Sequence, residues 1–170
     1  MAVYAAVAAT PSPSLDRAMS KLSRAADHSK LSMAAAGLLA LGGGSRGRHA
    51  AKMGLTSVAV TSAAVNLVAK KLGVRRRPDR EGTEVPFARH VPMPTSSSFP
   101  SGHSAAAFAF ATGVGDTLPQ VAVPLRALAA VVAYSRVHTG VHYPGDVLVG
   151  SLIGAAVAQA TTRVIESRSG

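Results

Sequence analysis

The sequence predicts an all-α fold: an integral membrane bundle of about five short transmembrane helices, preceded by an N-terminal interfacial amphipathic helix. Three observations predict it. The 170 residues are 48% hydrophobic yet carry 18 Lys+Arg against 8 Asp+Glu, a formal net charge of +10. Uncharged runs of 15, 17 and 16 residues occupy 31–45, 53–69 and 147–162. These runs are rich in Ala, Gly, Ser and Thr, small residues that allow close helix–helix packing in lipid. The apolar content excludes a disordered basic tail, and loops facing anionic head groups account for the charge. Nucleic acid is the rival explanation of that charge. With no Trp, three Tyr and four Phe, the chain lacks a base-stacking platform, so membrane lipids and no nucleic acid are the expected partners. The absence of Cys excludes disulfides and thiolate metal ligands. A buried helix of a soluble protein has the same marginal hydropathy as these runs, so length alone leaves that alternative open.

In chain order, residues 1–170 form a single domain, with enough sequence for one core. Met1 to Ala9 is apolar but has no positive n-region, and is expected to be neither a signal peptide nor an anchor. Pro11 and Pro13 end it. Ser14 then reads as a helix N-cap, with Leu15, Met19, Leu22 and Ala26 at helical spacing and Arg17, Lys21 and Arg24 on other faces. A helix at a membrane interface and a soluble surface helix both fit; residues 1–30 are taken as tail and interfacial helix. The helical core, 31–165, holds helices over 31–43, 50–72, 102–117, 121–138 and 145–165. Pro119 and Pro124 lie in and near the short turn between the third and fourth. Arg126, inside the fourth, must face the bundle interior, water or the interface. His49, among Arg46, Arg48 and Lys52, reads as part of a basic loop. The long connection, 73–101, is rich in Arg, Pro and Ser, and its length marks a functional or disordered segment; it is taken as the active-site loop.

Three clusters carry the chemistry: Lys70 with Arg77-Pro78; Pro100-Ser101-Gly102-His103; and Ser135-Arg136 with His142 and Asp146. An up-down bundle places all three at the same face of the membrane, where they can build one pocket. Its inventory suits a phosphate. Lys70, Arg77 and Arg136 are three cations, Arg presenting a rigid fork of donors and Lys a point charge. Ser101 adds a hydroxyl, and Gly102 lets backbone approach an anion at a helix N-terminus. No acidic cluster has metal-ligand spacing, so neither metal nor cofactor is expected and the cations take a metal's role. Asp146, four residues after His142, is placed to accept a bond from one ring nitrogen and leave the other free to attack. His103 has no neighbouring carboxylate in sequence; it fits as proton donor to the leaving oxygen, then as base for water. Arg75, Arg76 and Arg80 form either a solvated face or a head-group contact. His138 reads as structural, and His28 and His90 as surface residues.

Together, Lys70–x6–Arg77-Pro78, Pro100-Ser101-Gly102-His103 and Ser135-Arg136–x5–His142–x3–Asp146 resemble the tripartite signature of the type 2 phosphatidic acid phosphatase superfamily, the lipid phosphate phosphatases. Every fixed position of that pattern is matched in order. The resemblance implies a six-helix core and metal-independent hydrolysis of a phosphomonoester. It implies a phosphohistidine at the position of His142, oriented by that of Asp146, with leaving-group protonation at that of His103. Lys70, Arg77, Ser101, Gly102 and Arg136 match the positions that hold the phosphoryl oxygens. Compact bacterial members with this layout resemble polyprenyl-linked phosphatases, including those acting on decaprenylphosphoryl-5-phosphoribose. Phosphatidic acid, phosphatidylglycerophosphate and polyprenyl pyrophosphate remain alternatives, and 73–101 is expected to choose among them. Vanadium haloperoxidases share the pocket but are larger and soluble; a non-enzymatic basic binder leaves the His142–Asp146 pair without purpose. The active-site side carries twelve of the 18 basic residues, nine against six once Lys70, Arg77 and Arg136 are set aside. That excess points to a cytoplasmic site.

Overall fold

The computed structural model describes residues 2–10, 12–69, 71, 74–82 and 85–168. Among them the fold is all-helical: α1 (Ala2–Ala9), α2 (Pro13–Ala25), α3 (Lys30–Gly42), α4 (Gly44–Ala64), α5 (Gly102–Thr117), α6 (Pro119–His138) and α7 (Pro144–Ser167). Pro sits in the first turn of α2, α6 and α7, where its missing N–H is no loss. Four core helices fall within two residues of their expected positions; the second starts six residues earlier than expected, and residues 70 and 72 of its expected end lie outside the described residues. One differs in kind: α3 passes into α4 across Gly43 and Gly44, so Arg46, Arg48, His49 and Lys52 are helical rather than a basic loop. Gly43 supplies the break, since a Cβ there would lie 2.7 Å from the Leu39 carbonyl oxygen. At its other end α4 widens into a π-helical turn, Val65–Ala69.

Helix α5 is the centre of the bundle, packed against α4, α6 and α7. Its neighbours come close because small residues line the contacts. A Cβ on Gly154 of α7 would stand 2.1 Å from the Ala105 carbonyl oxygen, and one on Gly150 would stand 2.5 Å from that of Ser101. Larger side chains would force α7 off the start of α5. One apolar cluster joins Ala36, Ala50, Val58, Phe110 and Val114; a second joins Tyr4, Ala8, Ala133, Val137 and Val147. Large apolar side chains instead point outward: Leu38, Leu41, Val123, Leu148 and Leu152 are all exposed. Two described helices, α6 and α7, are long and apolar enough to cross a membrane.

The N-terminal helices pack by a different chemistry. Within the N-terminal tail, Ala2–Ala9 forms the helix α1, with Tyr4 buried edge-on to Tyr143 at 5.6 Å between ring centroids. Helix α2 turns polar residues inward: Asp16, Ser20 and Ser23 are buried, while Leu15 is exposed. Asp16 Oδ1 accepts from Arg89 Nε (2.7 Å) and from His138 Nε2 (2.8 Å). The Arg89 guanidinium also donates to the Val7 (2.7 Å) and Thr10 carbonyls. A fully buried guanidinium is held only where its donors and its charge are matched, and here both are. This network ties α1 and α2 to the long connection and to α6. His138, expected to be structural, is part of it.

Candidate active site

Three chain segments meet at one end of the bundle: the connection after α4, the start of α5, and the turn from α6 into α7. The Ser101 N–H donates to the Asp146 carbonyl (2.9 Å), joining the starts of α5 and α7. Arg77 bridges the connection to the α6–α7 turn. Its Nε donates to the Ser96 carbonyl (3.0 Å), and its Nη1 to the Val141 carbonyl (3.0 Å) and to His142 Nε2 (3.3 Å). Arg77, Ser101, Gly102, His103, Arg136, His142 and Asp146 all lie at this end. Lys70 lies outside the described residues.

His142 is almost fully buried, and its ring orientation is fixed from both sides. The direct bond expected from Asp146 is absent: His142 Nδ1 and Asp146 Oδ2 are 3.8 Å apart. The carboxylate is already engaged. Its Oδ1 accepts from Arg75 Nη1 (2.9 Å), and its Oδ2 accepts from Ser98 Oγ (2.5 Å) and from the Tyr143 N–H (3.0 Å). The buried Ser98 hydroxyl stands between the two groups, 3.4 Å from His142 Nδ1. With its own proton on Asp146, Ser98 Oγ accepts from Nδ1–H. That chain selects the tautomer whose Nε2 carries a lone pair, and Arg77 covers that nitrogen. Burial pushes the His142 pKa below the usual histidine range; Arg77 and Arg136 act in the same direction and Asp146 against them. Burial and the two guanidinium groups thus favour the neutral ring.

On the opposite side, Ser101 caps α5. Its Oγ accepts from the Ser104 N–H (3.4 Å) and from Ser104 Oγ (3.0 Å). Two residues on, His103 Nε2 donates to Asp27 Oδ1 at 2.9 Å. Asp27 Oδ1 also lies 3.6 Å from Arg136 Nη1, which donates to the Ser23 carbonyl (3.1 Å) and hydroxyl (2.6 Å). Arg136 is buried, and its Nε has no hydrogen-bond partner among the described residues. A buried donor left unmade costs about 1–3 kcal/mol, so an anionic ligand that accepts from it gains that amount back. A cleft of about 190 Å³ borders Gly102 and His103, with Leu31, Val65, Ala106 and Val132 in its walls. A smaller apolar pocket shares Leu31, Ser32, Ala107 and Val132 with it and continues to Phe110 and Leu125.

Several groups escaped the sequence. Arg75 was expected to be solvated or on a head group, yet it binds Asp146 and lies over the Tyr143 ring, 4.2 Å from its centroid. Arg80 is likewise no solvated charge, since it donates to the Val91 (2.9 Å) and Gly140 (3.3 Å) carbonyls. His90, read as a surface residue, is half-buried and pairs with the Val85 carbonyl at 3.1 Å. Ser98 sits in a run of three serines, which reads as loop composition. Asp27 is 76 positions from the histidine it meets, and no local pattern announces it.

A model of the PAP2 superfamily matches residues 51–169. Over 98 residues the chain is 41% identical to decaprenylphosphoryl-5-phosphoribose phosphatase from Mycobacterium tuberculosis, covering 55% of this chain and 50% of that protein. The chain thus spans about half the length of the curated relatives it matches. The fold is similar to that of Aquifex aeolicus LpxE, with a TM-score of 0.75 at 24% identity over 95% of this chain and 93% of that one. It is also similar to a transmembrane PAP2 type phosphatidylglycerolphosphate phosphatase from Bacillus subtilis. There the TM-score is 0.72 at 24% identity, over 98% of this chain and 84% of that one.

Proposed function

The chain belongs to the PAP2 superfamily, and we propose that it is an integral membrane phosphatase that hydrolyses a lipid phosphomonoester, without a metal, through a phosphohistidine at His142. The observation that carries this is the held geometry of His142: Nδ1 on the Ser98–Asp146 chain, Nε2 under Arg77. In the first step the Nε2 lone pair forms a P–N bond. The ester P–O bond breaks, its electron pair goes to the leaving oxygen, and His103 supplies the proton. In the second, neutral His103 takes a proton from water as the water oxygen attacks phosphorus. The P–N bond breaks, its pair returns to Nε2, and the products are an alcohol and inorganic phosphate. Arg77, Arg136, Ser101, Gly102 and Lys70 hold the three remaining oxygens, on which the transferred charge is spread. Asp146 and Ser98 position the ring.

The cleft beside His103 supports a lipid leaving group. It borders Gly102 and His103, and its walls continue into the small apolar pocket between α3, α5 and α6. Similarity to a relative named for decaprenylphosphoryl-5-phosphoribose favours a polyprenyl-linked monoester. The outward apolar residues of α3, α6 and α7 support about five short spans, with α2 at the interface and its Leu15 edge in lipid. The basic residues at the site end favour a cytoplasmic site. Because α7 leads away from that end, a reporter fused to the C-terminus is expected outside; a cytoplasmic reporter reverses the assignment.

The direct test is phosphate release by purified protein in detergent with EDTA present. The panel is decaprenylphosphoryl-5-phosphoribose, phosphatidic acid, phosphatidylglycerophosphate and a polyprenyl pyrophosphate. Release that survives chelation and is fastest with the polyprenyl monoester is expected. Loss of activity on chelation, or release from none of the four, contradicts the assignment.

A further inference from the structure

His103 must carry a proton to act as leaving-group acid, and its surroundings oppose that. It shares Asp27 Oδ1 with the buried Arg136, and Arg77 lies on His142. A cationic ring among cations is disfavoured unless an anion stands against it. Among the described residues the carboxylate that does so is Asp27, whose Oδ1 lies 2.9 Å from His103 Nε2 and 3.6 Å from Arg136 Nη1. Asp27 comes from the N-terminal segment, outside the residues that match the superfamily. It opens a 3-10 turn, Asp27–Ser29, in which His28 (φ 55°) and Ser29 (φ 57°) are both left-handed. Non-glycine residues take up that conformation at a cost, so the packing around the turn holds it in place. The turn delivers the carboxylate to the mouth of the cleft, where Asp27 and His103 remain partly exposed.

We propose that Asp27 is the positioning residue of the leaving-group acid: its carboxylate offsets Arg136 when the His103 ring takes up its proton, and aims the ring at the scissile oxygen. This rests on the phosphatase assignment above. In the imidazolium, Nε2–H is kept by Asp27 and Nδ1–H is delivered. When the ester P–O bond breaks, its electron pair takes the Nδ1 proton and the alcohol leaves. His103 is then neutral, with Nε2–H still on Asp27 and a lone pair on Nδ1 to accept a proton from the attacking water. The logic is that of an aspartate orienting a histidine through its far nitrogen, here serving the acid rather than the nucleophile.

The test compares leaving groups on the full chain in detergent. Phosphatidic acid must expel an alkoxide-like oxygen and needs the proton; p-nitrophenyl phosphate expels a stable phenolate and does not. The parameter is kcat/KM, which reports the steps through P–O cleavage. Asp27→Asn is expected to lower kcat/KM for phosphatidic acid roughly 100-fold and that for p-nitrophenyl phosphate less than about threefold. His103→Ala is expected to show the same contrast, and adding Asp27→Asn to it should cost nothing further, because the two act as a unit. Asp27→Ser gives the same ratio if the Asn variant does not fold. Equal losses on both substrates, no loss on either, or an additive loss in the double variant would overturn the inference. A gain in kcat/KM would overturn it too, by marking Asp27 as a plug that substrate must displace. Where another lipid monoester of the panel above is cleaved faster, it takes the place of phosphatidic acid; wild-type protein that cleaves none of these substrates overturns the phosphatase assignment itself, and this inference with it.

Discussion

His142→Ala is expected to leave no measurable turnover, a loss on the order of 10⁵-fold or more, as for removal of a covalent nucleophile in other hydrolases. The expectation follows from how completely this one ring is arranged. It is buried, its Nδ1 is committed to Ser98, and its Nε2 points to Arg77. No other histidine among the described residues has this arrangement: His103 is paired with Asp27 and His138 with Asp16. Lys70→Ala is the natural contrast. That residue matches a phosphate-binding position and would take no part in bond making, so its loss leaves a measurable remnant. Steady-state rates for the two variants against one lipid phosphate decide the matter. Comparable residual turnover in both would remove His142 from the role of nucleophile.

Arg77→Ala carries the second largest effect. Its guanidinium is held by Ser96 and Val141 so that Nη1 lies 3.3 Å from His142 Nε2, within reach of a phosphoryl oxygen that the proposed attack would bring there. Losing one preorganised donor of this kind costs about 3–4 kcal/mol of barrier, roughly 100- to 1000-fold in kcat. The pH profile adds a signature. Burial, Arg77 and Arg136 all push the His142 pKa down, and Asp146 pushes it up. Removing Arg77 therefore raises that pKa, and the acid limb of kcat/KM, set by the fraction of neutral His142, moves to higher pH. Comparing variant and wild type on the same substrate cancels the substrate's own titration. Arg77→Lys keeps the charge and loses the fork, so the limb should stay near its wild-type position while part of the rate loss remains. An Arg77→Ala limb that stays put or moves to lower pH contradicts the placement of this charge beside His142.

The bundle was legible in the sequence because proline and glycine punctuate it. Helix α5 runs over 102–117 as expected, and Pro119 and Pro144 mark the starts of α6 and α7. The meeting of three clusters at one end followed from the alternation of helices alone. What escaped depends on pairing at long range. Helix α1 has no apolar stripe to give it away and is anchored by Tyr4 on Tyr143, 139 positions apart. Arg89 reads as one more cation until Asp16 is found against it, 73 positions away. The sequence marked the histidines and the cations Arg77 and Arg136 that lie together at this end, but not the groups that orient them. An orienting group needs only an oxygen at the right point in space, and Ser98, Arg75 and Asp27 supply theirs from a serine run, a charge run and a helical turn.

The central proposal, capture of the phosphoryl group on a single imidazole, can be tested directly. Wild-type protein and His103→Ala, whose second step lacks its base, would be mixed with ³²P-labelled p-nitrophenyl phosphate, whose leaving group needs no proton, and quenched in alkali within one turnover. An acid-labile, alkali-stable label mapping to His142, more abundant in His103→Ala and absent from His142→Ala, is the predicted result. Phosphate release with no protein-bound label in either, or a label on any other residue, would contradict it.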